Sequence, residues 1–585
     1  MLNEKCNINI AIVYVLKLSW NNQNLYSVPL DLDASLRRLD LSNNFIRQLH
    51  TLALNALNNN LGSNSKALQS ISRLRTLDIS MNGLNDDAVE RFLRNKPSLD
   101  QLKMTGNALT RLSHNLFKES KSLRSITIDD NQISVIEQGT FEPLRQLETL
   151  NLARNNLVYI CDFKLHQVKY LNLSGNSVEF FVTHEDNLFY SLEILDLSHN
   201  KLLYFPIVPK MSQLKYLHLQ NNMVGALNTE ATMVSEVNAL YNEIIKERTV
   251  RKNDLHSNWR MMPLIYIDLS YNHFRSFPLE TLSLLSSLET LNFSYNCLQN
   301  ITWHVRNDNR SQYQRQLFFP SLKYLDMQSN GLVYISPLFL KALTKIETLN
   351  LQDNSVQSCV VFGQLKTLKH LNLQENDIET LYSNTFQNNS LISLNLAKNS
   401  YMLMQAGAFE GVQKTLQSLI ISELNMTSFD LSLPCMPVLT QLNMSHNHLD
   451  VIPSSLICSP LREIDIRNNG FVSLNRSLII SLSVHLDLIY ISGNYFNCCD
   501  SKWLTTLHEL KVKLPDISDA VCFTSDRNIV MTGYLNNTSM NCLFHTKVQE
   551  IHFGQMIIIV LFVIVILIVF IILTRKVCCR RSFIV

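Results

Sequence analysis

The sequence predicts an α/β solenoid: a horseshoe of repeated strand-and-turn units with a parallel sheet on its concave side, a C-terminal disulfide cap and one transmembrane helix. Three observations carry this. The pattern L-x-x-L-x-L-x-x-N recurs at intervals of roughly 20 to 25 residues, the spacing of a leucine-rich repeat. Four cysteines, Cys498, Cys499, Cys522 and Cys542, cluster after the last copy. An unbroken apolar run, Met556 to Leu573, precedes a basic tail.

Clear copies begin at Leu36, Leu74 and Leu99 and continue through Leu461 and Leu486, with a weaker copy at Val234. In Leu147-x-x-Leu150-x-Leu152-x-x-Asn155 the alternation of apolar and variable positions is that of a short strand with one buried face. Asn155 and its counterparts Asn44, Asn82, Asn131, Asn176, Asn200, Asn272 and Asn296 fall where the chain leaves the strand, and a buried amide there can bond backbone groups of the turn. A second apolar anchor follows several strands, as in Gly139-Thr140-Phe141, Asn384-Thr385-Phe386 and Gly407-Ala408-Phe409, and suits a core-filling aromatic on the convex side. No repeat buries its face alone, so about nineteen are expected to stack into one curved body.

The ends bound this body. Residues 1–35 are read as a partial N-terminal cap, 36–494 as repeats, 495–545 as a cysteine-rich C-terminal cap, 556–573 as the membrane helix and 574–585 as a short tail. Ile8 to Leu18 reads as a weak signal-peptide core, or else the signal and the cap cysteines precede this chain. The apolar run is long enough to cross a hydrocarbon core of about 30 Å. Arg575, Lys576, Arg580 and Arg581 follow it, which places the tail in the cytosol and the repeats outside, a single-pass type I arrangement at the cell membrane. Cys578 and Cys579 are palmitoylation candidates, the alternative being two reduced thiols. Glycosylation sequons stand at Asn172, Asn292, Asn300, Asn309, Asn388, Asn425, Asn443, Asn475, Asn536 and Asn537, several inside strands.

Composition narrows the function. With 17% charged residues and a net charge of +2, nothing favours nucleic acid. No Ser/His/Asp set, metal-ligand motif or phosphate loop can be assembled, so no enzyme, cofactor or metal is expected; His218 and His370 fall at scattered strand positions. The variable strand positions are polar and mixed in sign, with neither a charged nor an aromatic stripe, which reads as a broad protein-binding surface. Two stretches break the period, Ile244 to Met262 and Trp303 to Phe319, and are read as loops leaving the solenoid.

The cysteines are more specific. Those after the last repeat resemble the cysteine-rich cap of extracellular leucine-rich-repeat proteins, which implies Cys498 with Cys522 and Cys499 with Cys542; a zinc site is the rival reading. Cys161 and Cys297 lie six repeats apart, about 29 Å at a strand spacing of about 4.8 Å, too far to bridge each other. Each either pairs with another chain or is a buried thiol. Cys435 and Cys458 precede consecutive strands at similar offsets and are placed to bridge neighbouring repeats, whereas Cys359 and Cys6 have no evident partner.

Asn156-Leu-Val-Tyr-Ile-Cys-Asp-Phe163, Asp196-Leu-Ser-His-Asn-Lys-Leu-Leu-Tyr-Phe-Pro206, Ser294-Tyr-Asn-Cys297-Leu, Leu433-Pro-Cys435 and Ser492-Gly-Asn-Tyr-Phe-Asn-Cys-Cys499 with Trp503-Leu504 resemble the family of the glycoprotein A repetitions predominant protein and its relative, the negative regulator of reactive oxygen species. The resemblance runs from about Leu25 to the end, and Leu433-Pro-Cys435 with the short basic tail is nearer to the first of these branches. It implies a cell-surface presenter of latent transforming growth factor beta that meets the precursor in the endoplasmic reticulum, links by disulfides to its prodomain dimer and holds it until an integrin releases the cytokine. Cys297 stands at the position of one linking cysteine. The family's other cysteine corresponds to Tyr159, and this chain has Cys161 two residues on, a displacement of about 7 Å. The other readings are a Toll-receptor-like decoy or accessory receptor, and an adhesion protein.

Overall fold

The computed structural model describes residues 17–25, 36–45, 72–160, 165–181, 188–206, 208, 211–225, 262–302, 319–500, 502–524 and 528–532. The predicted membrane helix, the cytoplasmic tail with Cys578 and Cys579, and Cys6, Cys161 and Cys542 lie outside them. Among the described residues no helix is long and apolar enough to cross a membrane.

The architecture is the expected solenoid. Nineteen three-residue strands among the described residues form one continuous sheet, each pairing in parallel with the next rung. The middle residue of a strand, such as Leu77, Leu150 or Leu325, points into the core and the residues on either side face out, as a period of two requires. Short helices lie on the far side, among them Asp86–Leu93, Pro337–Ala342 and Arg476–Leu482. The first is capped by Asn85, whose side chain accepts from the Ala88 N–H. Of the convex aromatic anchors, Phe386 and Phe409 are fully buried. Phe141 is only half-buried and stacks on Phe117, with ring centroids 5.8 Å apart.

The number of rungs matches the expectation but their membership does not. The strand Tyr216–His218 pairs directly with Tyr266–Asp268, and the weak copy at Val234 lies outside the described residues. Conversely, Lys17–Ser19 pairs with Arg38–Asp40 and extends the ladder into the segment read as cap. The rungs that precede Cys161 and Cys297 are therefore five spacings apart rather than six, about 24 Å. That separation between the rungs far exceeds disulfide reach.

Buried side-chain amides hold successive turns together. Asn155 donates to Ile128 O, Leu152 O and Ala153 O at 3.0 to 3.1 Å and accepts from the Ile133 N–H of the preceding rung at 3.0 Å. Each such Asn therefore satisfies backbone groups of two turns that no regular ladder could reach. At the end of many strands an Asp or Asn also closes a tight turn, as where the Ser42 N–H donates to Asp40 Oδ1 and the Ser294 N–H to Asn292 Oδ1.

The C-terminal end of the sheet would leave an open edge, and the cap closes it. Lys513 exchanges backbone hydrogen bonds with Asp487 and Ile489, and the Asp516 carboxylate accepts from the N–H groups of Ile491 and Ser492. A helix at Lys502–Glu509 buries Trp503 against Phe496, and a disulfide joins Cys498 to Cys522 with Cα atoms 5.0 Å apart. Cys499 is also disulfide-bonded, while Cys542, the partner proposed for it, lies outside the described residues.

Candidate partner-binding surface

The solvent face of the sheet is more organised than its sequence suggested. Residues immediately before the strands form a column of alternating sign: Asp100, Arg124, Glu148, Lys169, Glu193 and Lys215, then Ile265, then Glu289, Lys323, Glu347 and Lys369. Lys169 meets Glu148 at 2.9 Å, Lys215 meets Glu193 at 3.1 Å, Lys323 meets Glu289 at 2.9 Å and Lys369 meets Glu347 at 2.8 Å. Exposed pairs of this kind contribute little stability each. Their consequence is a locally neutral column, broken at Ile265 by an apolar residue.

The next column carries four tyrosines without forming an unbroken stripe. Tyr170, Tyr216, Tyr266 and Tyr324 stand at the first strand position of their rungs. Rung stacking sets Tyr216 beside Tyr266, while Ile194 and Thr290 stand between this pair and Tyr170 and Tyr324. The Tyr266 ring lies 6.3 Å from Tyr216 and 5.1 Å from the His218 ring. Burial, and then the negative charge of Asp268, push the Tyr266 phenol up to about 12, and burial with Asp326 raises that of Tyr324, so these hydroxyls stay neutral at physiological pH.

A third column holds the residue just before each buried Asn, which adopts positive φ. Gly106, Gly175 and Gly493 fill it on some rungs and Asn43, Asn221 and Asn468 on others. Two successive rungs place tyrosines there. Tyr271 and Tyr295 have φ of 53° and 54°, and their rings stack with centroids 4.2 Å apart and planes within 7°. They remain 48% and 39% exposed. Gln328 on the following rung donates to the Tyr295 hydroxyl at 3.1 Å. The signal was legible as the repeated triplet Ser270-Tyr271-Asn272 and Ser294-Tyr295-Asn296, but nothing in one dimension shows that the rings meet.

Cys297 sits in this turn, exposed, directly after buried Asn296, and its N–H donates to Phe274 O at 2.9 Å. The amide ladder has an open link here. Elsewhere the N–H two residues after one consensus Asn donates to the Oδ1 of the next, as Phe274 does to Asn296 at 3.1 Å and Leu332 to Asn354 at 2.9 Å. The corresponding acceptor after Cys297, Asn330 Oδ1, is buried with no hydrogen-bond partner.

The remaining candidates are placed as follows. Cys161 lies outside the described residues; the strand before it in sequence, Tyr159–Ile160, pairs with Phe180–Phe181. Cys359 is a free thiol in the core, pushed up to about 12 by burial, and so is unsuited to exchange chemistry. Cys435 and Cys458 form the disulfide between neighbouring rungs that their spacing predicts. Among the sequons, Asn172, Asn292 and Asn443 lie in sheet strands, Asn300 in a short outer strand, and Asn388 and Asn425 are exposed in turns. Asn475 caps a helix, accepting from the Ser477 and Leu478 N–H groups. Asn309, Asn536 and Asn537 lie outside the described residues, as do residues 244–261 and 303–318 of the two insertions.

The fold and this surface define a leucine-rich-repeat binding protein, and models of the leucine rich repeat match residues 73–93, 97–157 and 121–178, with the BspA type leucine rich repeat region matching 342–454. The chain is 29% identical to the zebrafish protein named transforming growth factor beta activator LRRC33, over 84% of this chain and 78% of that one. It is 31% identical to the orangutan and mouse proteins named transforming growth factor beta activator LRRC32, covering 79% and 87% of this chain and 74% and 83% of theirs. The chain belongs to this family.

Proposed function

We propose that this protein carries latent transforming growth factor beta at the cell surface, seating the prodomain dimer on the repeats and presenting it for integrin-dependent release. The observation that carries the reading is an exposed cysteine, Cys297, in a turn beside the sheet, in a chain whose relatives are named as activators of this growth factor. A disulfide from Cys297, with a second from Cys161, holds the prodomain against a pulling force that a non-covalent contact would yield to. The segment 556–573 spans the membrane and supplies the reaction force, with 574–585 inside the cell. The role is mechanical and spatial, with no catalytic step.

The test is co-expression of the full chain with latent transforming growth factor beta, followed by pull-down and comparison of non-reducing with reducing gels. A high-mass band that reduction abolishes, and that Cys297→Ala and Cys161→Ala each weaken, is the expected result. Absence of any association would move the weight to a decoy-receptor or adhesion role.

A further inference from the structure

The geometry points to the stacked Tyr271–Tyr295 pair as the non-covalent seat on which an uncharged segment of the growth-factor prodomain docks beside Cys297. This inference rests on the function proposed above and names the side chains that position the partner before any covalent link forms.

The first argument is proximity. Disulfide bonding requires the two Cα atoms to approach within about 7 Å. Tyr295 is two residues from Cys297, at most about 7 Å along the chain. A prodomain segment bonded at Cys297 therefore passes within side-chain reach of Tyr295, and its ring is locked face to face with that of Tyr271.

The second argument is cost. An aromatic residue at positive φ is held in a conformation disfavoured by on the order of 1 to 2 kcal/mol. The same column holds Gly or Asn on some rungs and other side chains, among them Met81, Arg154, Ser329 and Lys398, on the rest, so the fold does not require Tyr at this position. The rings gain each other's contact but leave roughly half of their surface open. Such paired, rigid, partly exposed tyrosines have the character of interface anchors, which bring large contact area with little side-chain entropy to lose.

The third argument concerns charge. On the rung of Tyr271 the charged column is interrupted by Ile265, and the Tyr266 phenol is neutral. Among the described residues of this strand, 265–268, the charged side chain is Asp268, which is buried and already engaged by the Ser270 N–H and the Tyr266 hydroxyl, and on the next rung Glu289 is paired with Lys323. An uncharged stretch of backbone and apolar side chains fits.

The experiment uses the full chain in a Cys161→Ser/Cys297→Ser background, so that association is reversible, titrated with purified latent transforming growth factor beta. Replacing both tyrosines, as Tyr271→Asn/Tyr295→Asn, installs the residue that fills this column at Asn43, Asn221 and Asn468 and so preserves the fold, with the thermal midpoint as control. Affinity is expected to fall at least tenfold, whereas Tyr271→Phe/Tyr295→Phe, which keeps the stack, changes it less than threefold. Affinity unchanged in the Asn variant overturns the inference and leaves the proposed function standing. A parent that binds only when its cysteines are intact also overturns it, because no non-covalent seat then exists. If the unsubstituted chain forms no complex at all, the proposed function falls and takes this inference with it.

Discussion

Cys435 and Cys458 join two successive rungs across 23 residues, with Cα atoms 5.8 Å apart, in the region where the consensus Asn is replaced by Leu424. Where the preceding rung lacks the buried amide, a covalent clamp ties its descending segment to the next. By loop-closure entropy alone the bridge contributes roughly 3 kcal/mol. Cys435→Ser/Cys458→Ser is expected to lower stability by about that amount in chemical denaturation. Because a solenoid opens locally, proteolysis should first appear between residues 425 and 460.

The open link in the amide ladder predicts an asymmetry between two equivalent asparagines. Asn354 makes its three donor bonds and also accepts from the Asn330 and Leu332 N–H groups. Asn330 donates equally well but accepts nothing. Asn354→Ala should therefore cost about 1 to 2 kcal/mol more than Asn330→Ala, as two buried backbone donors lose their acceptor. Hydrogen exchange offers an independent check: the Leu298 amide should exchange faster than that of Leu332, and equal protection would contradict the reading.

Lys96 is buried, donates from Nζ to Arg94 O at 3.0 Å, and is lowered by burial from 10.5 to about 8, with Glu119 opposing the shift. Its folded value lies below its unfolded one, so the folded state binds fewer protons between about pH 8 and 10.5. Stability from this group therefore rises with pH through that window, and below it the buried charge costs on the order of 3 kcal/mol. Lys96→Met should raise the thermal midpoint at pH 7, and the difference from the unsubstituted chain should shrink by pH 10. A midpoint lowered by the substitution at pH 7 would show that the lysine's contacts outweigh its desolvation.

The sequons divide by geometry. Asn388 and Asn425 are exposed in turns, whereas Asn172, Asn292 and Asn443 face out from the sheet and hold strand-ending turns through Oδ1. Asn292 Nδ2 additionally donates to Asp268 Oδ2 at 3.2 Å, a bond a glycan would displace. Glycopeptide mass spectrometry of the secretory-pathway protein should find high occupancy at Asn388 and Asn425 and low occupancy at the three strand sites. The reverse distribution would mean that glycans, rather than a partner, cover the sheet.

The repeat was legible because each rung carries its own instructions: the inward Leu residues, the variable positions between them and the buried Asn recur within one period, so strand, turn and core follow from local sequence. The same local logic located Cys297 and proposed Cys435 with Cys458, since a disulfide between equivalent offsets of adjacent units requires only that the units stack. What the tertiary structure alone decided is which units are adjacent. The Val234 copy has the outline of a rung, yet Tyr216–His218 pairs with Tyr266–Asp268 across it, and Lys17–Ser19 supplies the rung that the count required. That choice brings Tyr216 beside Tyr266, although 50 residues separate them in sequence, and stacking of the next two rungs seats Tyr271 on Tyr295. The open link at Asn330 is likewise a relation between rungs, set by how one turn sits on the next. Strand formation draws on the pattern within a repeat, whereas the composition of the exposed face depends on contacts between repeats, for which single residues carry no separate mark.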